Sequence, residues 1–215
     1  MRRGLLAGAS VALAITLSGH AEARQIDLKK ACAQEARLPT PDDDTGKLFE
    51  DIITERAIEL CTRAVKADPK DFDSLANLGR AYSRAGDGAT AFPLIEKAAE
   101  GGSLQAANTL AQMYGEGKGV AKDPARAFAY AKAGENSRYV WIIGLLGQYY
   151  AEGFGTKADS SRALALYERA AELGNAGGAS DLGDIYRFGK YGVRPDMLRA
   201  RDWYRRAVEM GHADS

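Results

Sequence analysis

Cys32 and Cys61 are the residues of this chain best suited by type to covalent chemistry, and they are its only cysteines. A thiol does redox or nucleophilic work where a Cys-x-x-Cys spacing or a charged neighbour lowers its pKa. No Cys-x-x-Cys motif occurs here. An even count points instead to a structural disulfide in an oxidising compartment, one that would contribute about 2–4 kcal/mol. Histidine is as scarce. His20 lies in an N-terminal segment read below as removed, and His212 follows the last helical pattern as a solvated helix-end residue. A mature chain with one histidine has no His-dependent triad or dyad and no multi-histidine metal site. Asp42-Asp43-Asp44 lacks the oxygen-ligand spacing of a calcium loop and reads as an acidic, solvated linker. Gly115-Glu116-Gly117-Lys118-Gly119 has the glycines of a phosphate loop, but it follows a helical pattern and lacks the Gly-Lys-Ser/Thr ending. The expectation is therefore no catalytic residue, no metal ligand and no cofactor.

The elements around these residues repeat. Tyr114, Tyr150 and Tyr186 stand 36 residues apart, as do Leu110, Leu146 and Leu182, and Gly117, Gly153 and Gly189. Gly119 and Gly155 keep the step, and Gly192 arrives one residue late. A fixed period of this length predicts an all-α array, an α/α solenoid of helix-turn-helix units in which each buries its apolar face on its neighbours. In the first helix of a unit, Ala107, Leu110, Ala111 and Tyr114 recur at helical spacing, and glycines stop it. Asp123-Pro124 restarts the chain, with Asp as N-cap and Pro in the first turn. The second helices end at Gly174 and Gly211. The tyrosine ladder is aromatic enough for a ligand platform, but its period and its neighbours assign it to core packing.

Leu146-Gly147-Gln148-Tyr149-Tyr150, followed by Ala163, Tyr167 and Ala170-Ala171-Glu172-Leu173-Gly174, resembles the Sel-one-like repeat family, an α/α relative of the tetratricopeptide repeat. Leu182-Gly183-Asp184-Ile185-Tyr186 with Trp203-Tyr204 and Ala207 carries the same pattern, with one residue inserted near Lys190-Tyr191. The unit starting near Gln105 matches less well. Ala111 replaces its glycine, and Gly134-Glu135-Asn136 departs from the usual ending. Upstream the period shortens to 34, from Ala57 to Ala91 and from Ala64 to Ala98, and Ala64-Val65-Lys66-Ala67-Asp68-Pro69 resembles the end of a tetratricopeptide unit. On this reading residues 47–103 are tetratricopeptide-like helices and 104–215 are three Sel-one-like repeats.

The N-terminus predicts the compartment. Arg2-Arg3 is a basic start, Gly4 through Ser18 is an apolar stretch, and Ala21-Glu22-Ala23 is a small-x-small cleavage site. Residues 1–23 read as a bacterial signal peptide for general secretion, and 24–46 as an arm and linker. With no cysteine just after the cleavage site and an apolar stretch too short to span a bilayer, no stable membrane anchor is expected. Cleavage removes Arg2, Arg3 and Glu22 from 29 basic and 29 acidic residues, leaving 27 against 28. That balance gives no electrostatic case for nucleic acid or an anionic membrane.

The resemblance implies a binding scaffold, since in related arrays the first helices line a concave groove. Residues one face round from the Leu/Tyr stripe are the candidate groove: Arg80 and Arg84; Asn108, Gln112 and Glu116; Trp141, Gln148 and Glu152; Asp184 and Arg187. Trp141 is the sharpest of these, a large aromatic where the core pattern does not call for one. The implied function is a non-enzymatic periplasmic scaffold for protein–protein contacts, an adaptor or regulator in the envelope whose protein partner the residues do not name. The alternative is a periplasmic binder or hydrolase of cell-wall fragments or β-lactams on the same repeats. Disulfide-rich relatives have been linked to such activity, but this chain has neither a cysteine in every repeat nor a Ser-x-x-Lys motif.

Overall fold

The computed structural model describes residues 27–36 and 47–211, the side chains of 47–53 excepted. The expected signal peptide, most of the arm, and His212 lie outside the described residues. Every regular element among the described residues is helical. The chain divides into two compact units at Gly101–Gly102.

The first unit holds α1 (residues 27–35), α2 (Lys47–Ala67), α3 (Phe72–Arg84) and α4 (Gly88–Glu100). Local chemistry starts its helices: Asp71 accepts from the Ser74 amide to begin α3, and Asp87 accepts from the Thr90 amide to begin α4. Gly79 lets α3 and α4 close on each other, since a Cβ there would lie 2.5 Å from Ile95 Cγ1. The core of the unit gathers Leu28, Cys32 and Ala36 with Ile58, Cys61, Ala64 and Leu78. Cys32 and Cys61 sit at disulfide distance, fully buried, with Cα atoms 4.6 Å apart, so the bridge would pin α1 to α2. Lys29 adds a polar tie by donating to Asp68 at 2.9 Å and reaching Asp71 at 3.2 Å.

The second unit holds three helix pairs: α5 (Leu104–Glu116) with α6 (Pro124–Lys132), α7 (Val140–Glu152) with α8 (Ser160–Glu172), and α9 (Ala176–Phe188) with α10 (Met197–Glu209). Each first helix ends on a glycine in the left-handed region, Gly117, Gly153 or Gly189, whose amide donates back to the carbonyl four residues earlier. Each second helix starts on an aspartate N-cap: Asp123, Asp159 or Asp196. The residue inserted near Lys190-Tyr191 forms a 3-10 turn, Lys190–Gly192, with Tyr191 at φ 57°. The departure at Gly134-Glu135-Asn136 shortens α6 to 9 residues against 13 in α8 and α10. Arg169 of α8 then donates to the carbonyls of Glu135 and Ser137 in the resulting loop. Leu110, Leu146 and Leu182 are fully buried, and Tyr114, Tyr150 and Tyr186 nearly so, which places the 36-residue ladder in the core.

Candidate functional site

Equivalent positions on the three first helices of the second unit are 36 residues apart, and α5 and α7 are in direct contact. Tyr149 joins two of them directly. Its buried hydroxyl donates to the Ala111 carbonyl of α5 at 2.9 Å, a bond between neighbouring first helices. Burial first, then the Glu116 and Glu152 carboxylates, push the Tyr149 phenol up to about 12. Tyr167 of α8 is raised as well, chiefly by burial, with Asp181 and Glu152 among the charges that act on it. Glu152 therefore stands near both phenols, with Glu116 on the helix before it and Asp181 on the helix after.

Trp141, Gln148 and Glu152 are 7 and 4 residues apart on α7, so they share one face at 100° per residue. All three are exposed, and Trp141 keeps 64% of its surface in solvent. The position equivalent to Trp141 on α9 is Gly177, and Gly144, one turn along α7, has open space where a Cβ would be. The indole thus stands exposed beside the open space at Gly144, with Gln148 and Glu152 farther along the same face of α7. On α5, Gln112 and Glu116 are exposed. Asn108 is half-buried, and its side-chain oxygen finds no hydrogen-bond partner.

The remaining candidates divide. Asp184 is half-buried and already engaged: Tyr204 donates to one of its oxygens at 2.6 Å and Lys190 to the other at 3.1 Å. These bonds hold its carboxyl below the usual range, the Tyr204 bond most strongly. Its place on the polar face is therefore tied to joining α9 and α10. Arg187 lies over the ring of exposed Phe188, 4.9 Å from the centroid. Arg80 and Arg84 belong to α3 of the first unit, Arg80 half-buried and Arg84 exposed.

A second recurring arrangement escaped the sequence reading. Arg126, Arg162 and Arg199 each donate to the tyrosine of their own repeat, Tyr114, Tyr150 and Tyr186, at 3.0, 2.9 and 3.3 Å. Each guanidinium also lies 5.4 Å from that ring's centroid and pairs with the aspartate N-cap three residues earlier. The available signal was Asp-x-x-Arg at Asp123 and Asp159, in step with the tyrosines, and at Asp196, one residue late. These contacts tie the first helix of each repeat to its second helix. Among the described residues no group of three or more His, Cys, Asp or Glu side chains is placed to hold a metal ion.

The Sel1 repeat pattern matches residues 104–134, 145–175 and 177–212, and a tetratricopeptide repeat pattern matches 60–91. The chain is a Sel1-repeat protein. A Sel1 repeat protein from Oxalobacter formigenes is 33% identical, with a TM-score of 0.63 over 73% of this chain and 64% of that one. The protein c5321, described as a protective antigen present in uropathogenic Escherichia coli strains displaying an SLR fold, is 31% identical. It gives a TM-score of 0.64 over 72% of this chain and 33% of its own. This chain thus spans less than two thirds of either relative. A sel1 repeat protein from Klebsiella pneumoniae, 23% identical with a TM-score of 0.50, shares the fold. No curated protein matches the chain. The Sel1 repeats are an all-helical scaffold of a family that generally mediates protein interactions, and no helix among the described residues is long and apolar enough to cross a membrane.

Proposed function

We propose that this Sel1-repeat protein is a non-enzymatic periplasmic scaffold, an adaptor or regulator in the bacterial envelope, whose first-helix face captures part of another protein. The observation that carries the reading is Trp141, an indole 64% exposed on the face of α7 that also presents Gln148 and Glu152. Exposing so large an apolar surface forgoes about 25 cal/mol per Å² of burial, and tryptophan is enriched where a partner restores that burial. Gln112, Gln148 and Glu152 supply the polar rim. The basic start, apolar stretch and Ala21-Glu22-Ala23 site support export, and so does the buried cysteine pair, because disulfides persist in oxidising compartments.

The test is capture from a periplasmic extract by the wild-type chain and by Trp141→Ala, with a circular-dichroism melt of each. The variant is expected to keep its melting temperature, since exposed substitutions move stability by about 0.5 kcal/mol or less. Its partner affinity is expected to fall by about 2 kcal/mol, roughly thirtyfold. Undiminished capture by the folded variant would refute this face as the binding surface.

A further inference from the structure

The two helix layers of the Sel1 unit carry opposite charge. The first helices hold Glu116 on α5, Glu152 on α7 and Asp181 with Asp184 on α9, against a single cation, Arg187. The second helices reverse the balance. α6 has Arg126 and Lys132 and no acid, α8 is balanced, and α10 sets four arginines against Asp202 and Glu209. The near-neutral composition of the whole chain hides this separation. The acidic side is also the side that exposes Trp141 and Phe188, whose surfaces are 64% and 58% open.

From this we infer that the first-helix face is built for a cationic segment of a protein partner, an extended stretch in which Lys or Arg alternates with apolar side chains. The inference rests on the first-helix face being the binding surface and adds the chemistry of what it takes. Packed helices sit about 8–10 Å apart, so Glu116 and Glu152, equivalent positions on the contacting helices α5 and α7, stand about that far apart, and Asp181 lies two turns before the matching position on α9. An extended chain advances about 3.3–3.6 Å per residue, so basic side chains three residues apart can reach Glu116 and Glu152, and the chain then runs on toward Asp181. The exposed indole offers a π-face to a cation or an apolar contact to the residues between. Glu116 and Glu152 already have local partners, Lys118 at 2.5 Å and Gln148 at 2.9 Å. Both partners are on exposed, mobile-length side chains that a guanidinium or ammonium can displace. Polyanions are disfavoured on the same face by the same carboxylates, which excludes nucleic acid there.

The experiment uses the full chain and three labelled twelve-residue peptides, alike except for Lys, Glu or Ser at every third position between Leu and Ser residues. Binding is read by fluorescence anisotropy, and by Trp141 emission in a Trp203→Phe background that leaves one indole. The Lys peptide is expected to bind at least tenfold more tightly than the Glu peptide, to shift Trp141 emission to the blue, and to weaken with added salt. Combining Glu116→Gln, Glu152→Gln and Asp181→Asn should weaken it about tenfold, with each single change giving part of the loss. Lys132→Gln on the second-helix side should leave it within twofold. The inference is overturned if the Glu or Ser peptide binds as well, if no peptide binds, or if the triple variant, folded by its melt, holds the Lys peptide like wild type. If Trp141→Ala abolishes capture of a protein partner and the triple variant does not, the face is the binding surface and the charge inference alone has failed.

Discussion

Gly155→Ala should be far more damaging than the same change at the two equivalent glycines. All three residues occupy the left-handed region, with φ of 75° at Gly119, 68° at Gly155 and 76° at Gly192. A side chain there costs about 1–2 kcal/mol at each position. Replacing glycine also removes freedom from the unfolded chain, which returns about 0.4–1 kcal/mol equally in the three variants. Their surroundings differ. A Cβ at Gly155 would lie 1.9 Å from the Pro124 carbonyl oxygen, 2.6 Å from its carbon and 2.9 Å from Phe128 Cβ, so the α7–α8 connector rests directly on the start of α6. At Gly119 the nearest atom is Met113 Cε at 3.5 Å, an ordinary contact with the end of a flexible side chain, and at Gly192 nothing lies within 4 Å. Backbone cannot rotate away as a side chain can, so relief at Gly155 requires the connector or α6 to move. Overpacking of this kind costs about 1–3 kcal/mol. Gly155→Ala should therefore lower stability by about 1–3 kcal/mol more than Gly119→Ala or Gly192→Ala in urea unfolding with m unchanged. Hydrogen exchange should show the loss concentrated from α6 to α8, because a repeat contacts only its neighbours. Equal midpoints for the three variants would refute the claim that adjacent repeats meet at this glycine.

Two further outcomes follow from the cores of the two units. Cys61→Ser should lower stability by about 3–4 kcal/mol, the loop-closure value for a separation of 29 residues, and thiol alkylation of the native oxidised chain should find nothing to modify. Tyr149→Phe should cost about 1 kcal/mol at neutral pH by removing the bond from its hydroxyl to the Ala111 carbonyl, which keeps its helical partner. Because the folded Tyr149 phenol titrates at about 12 and its unfolded counterpart at 10.0, its stabilisation is complete below pH 10 and fades as pH climbs through 12. The wild type should thus lose stability above pH 10 more steeply than the Phe variant in pH-dependent urea melts.

The repeat architecture was readable because it is written in residues that serve their own helix. Leu146 and Tyr150 are core positions in any register that makes α7 amphipathic, and Gly153 and Asp159 are a stop and a start that local backbone chemistry dictates. The insertion at Lys190-Tyr191 was equally visible, although its resolution into a 3-10 turn with Tyr191 at positive φ was not. Features that depend on a partner in another helix were less legible. Asp184 reads as one more polar residue on the outer face, yet Tyr204, twenty residues on, takes its carboxylate. Tyr149 sits beside the tyrosine ladder in sequence and looks like a duplicate of Tyr150, whereas it reaches back 38 residues to α5. The Asp-x-x-Arg step was present in the sequence but looked like an ordinary i,i+3 ion pair, since only the connector's path brings the guanidinium over Tyr114, Tyr150 or Tyr186. The charge separation between helix layers went unseen for a similar reason, because it emerges only when residues are sorted by helix.

Site-specific photo-crosslinking asks whether a protein partner meets the proposed first-helix face of the Sel1 unit. A photoreactive residue placed at Gln148, exposed on α7, is compared with one at Ala129, exposed on α6, in cells that secrete the full chain. A discrete protein adduct is expected from position 148, lost when Trp141→Ala is added, and none from position 129. Adducts from 129 with none from 148 would contradict this expectation.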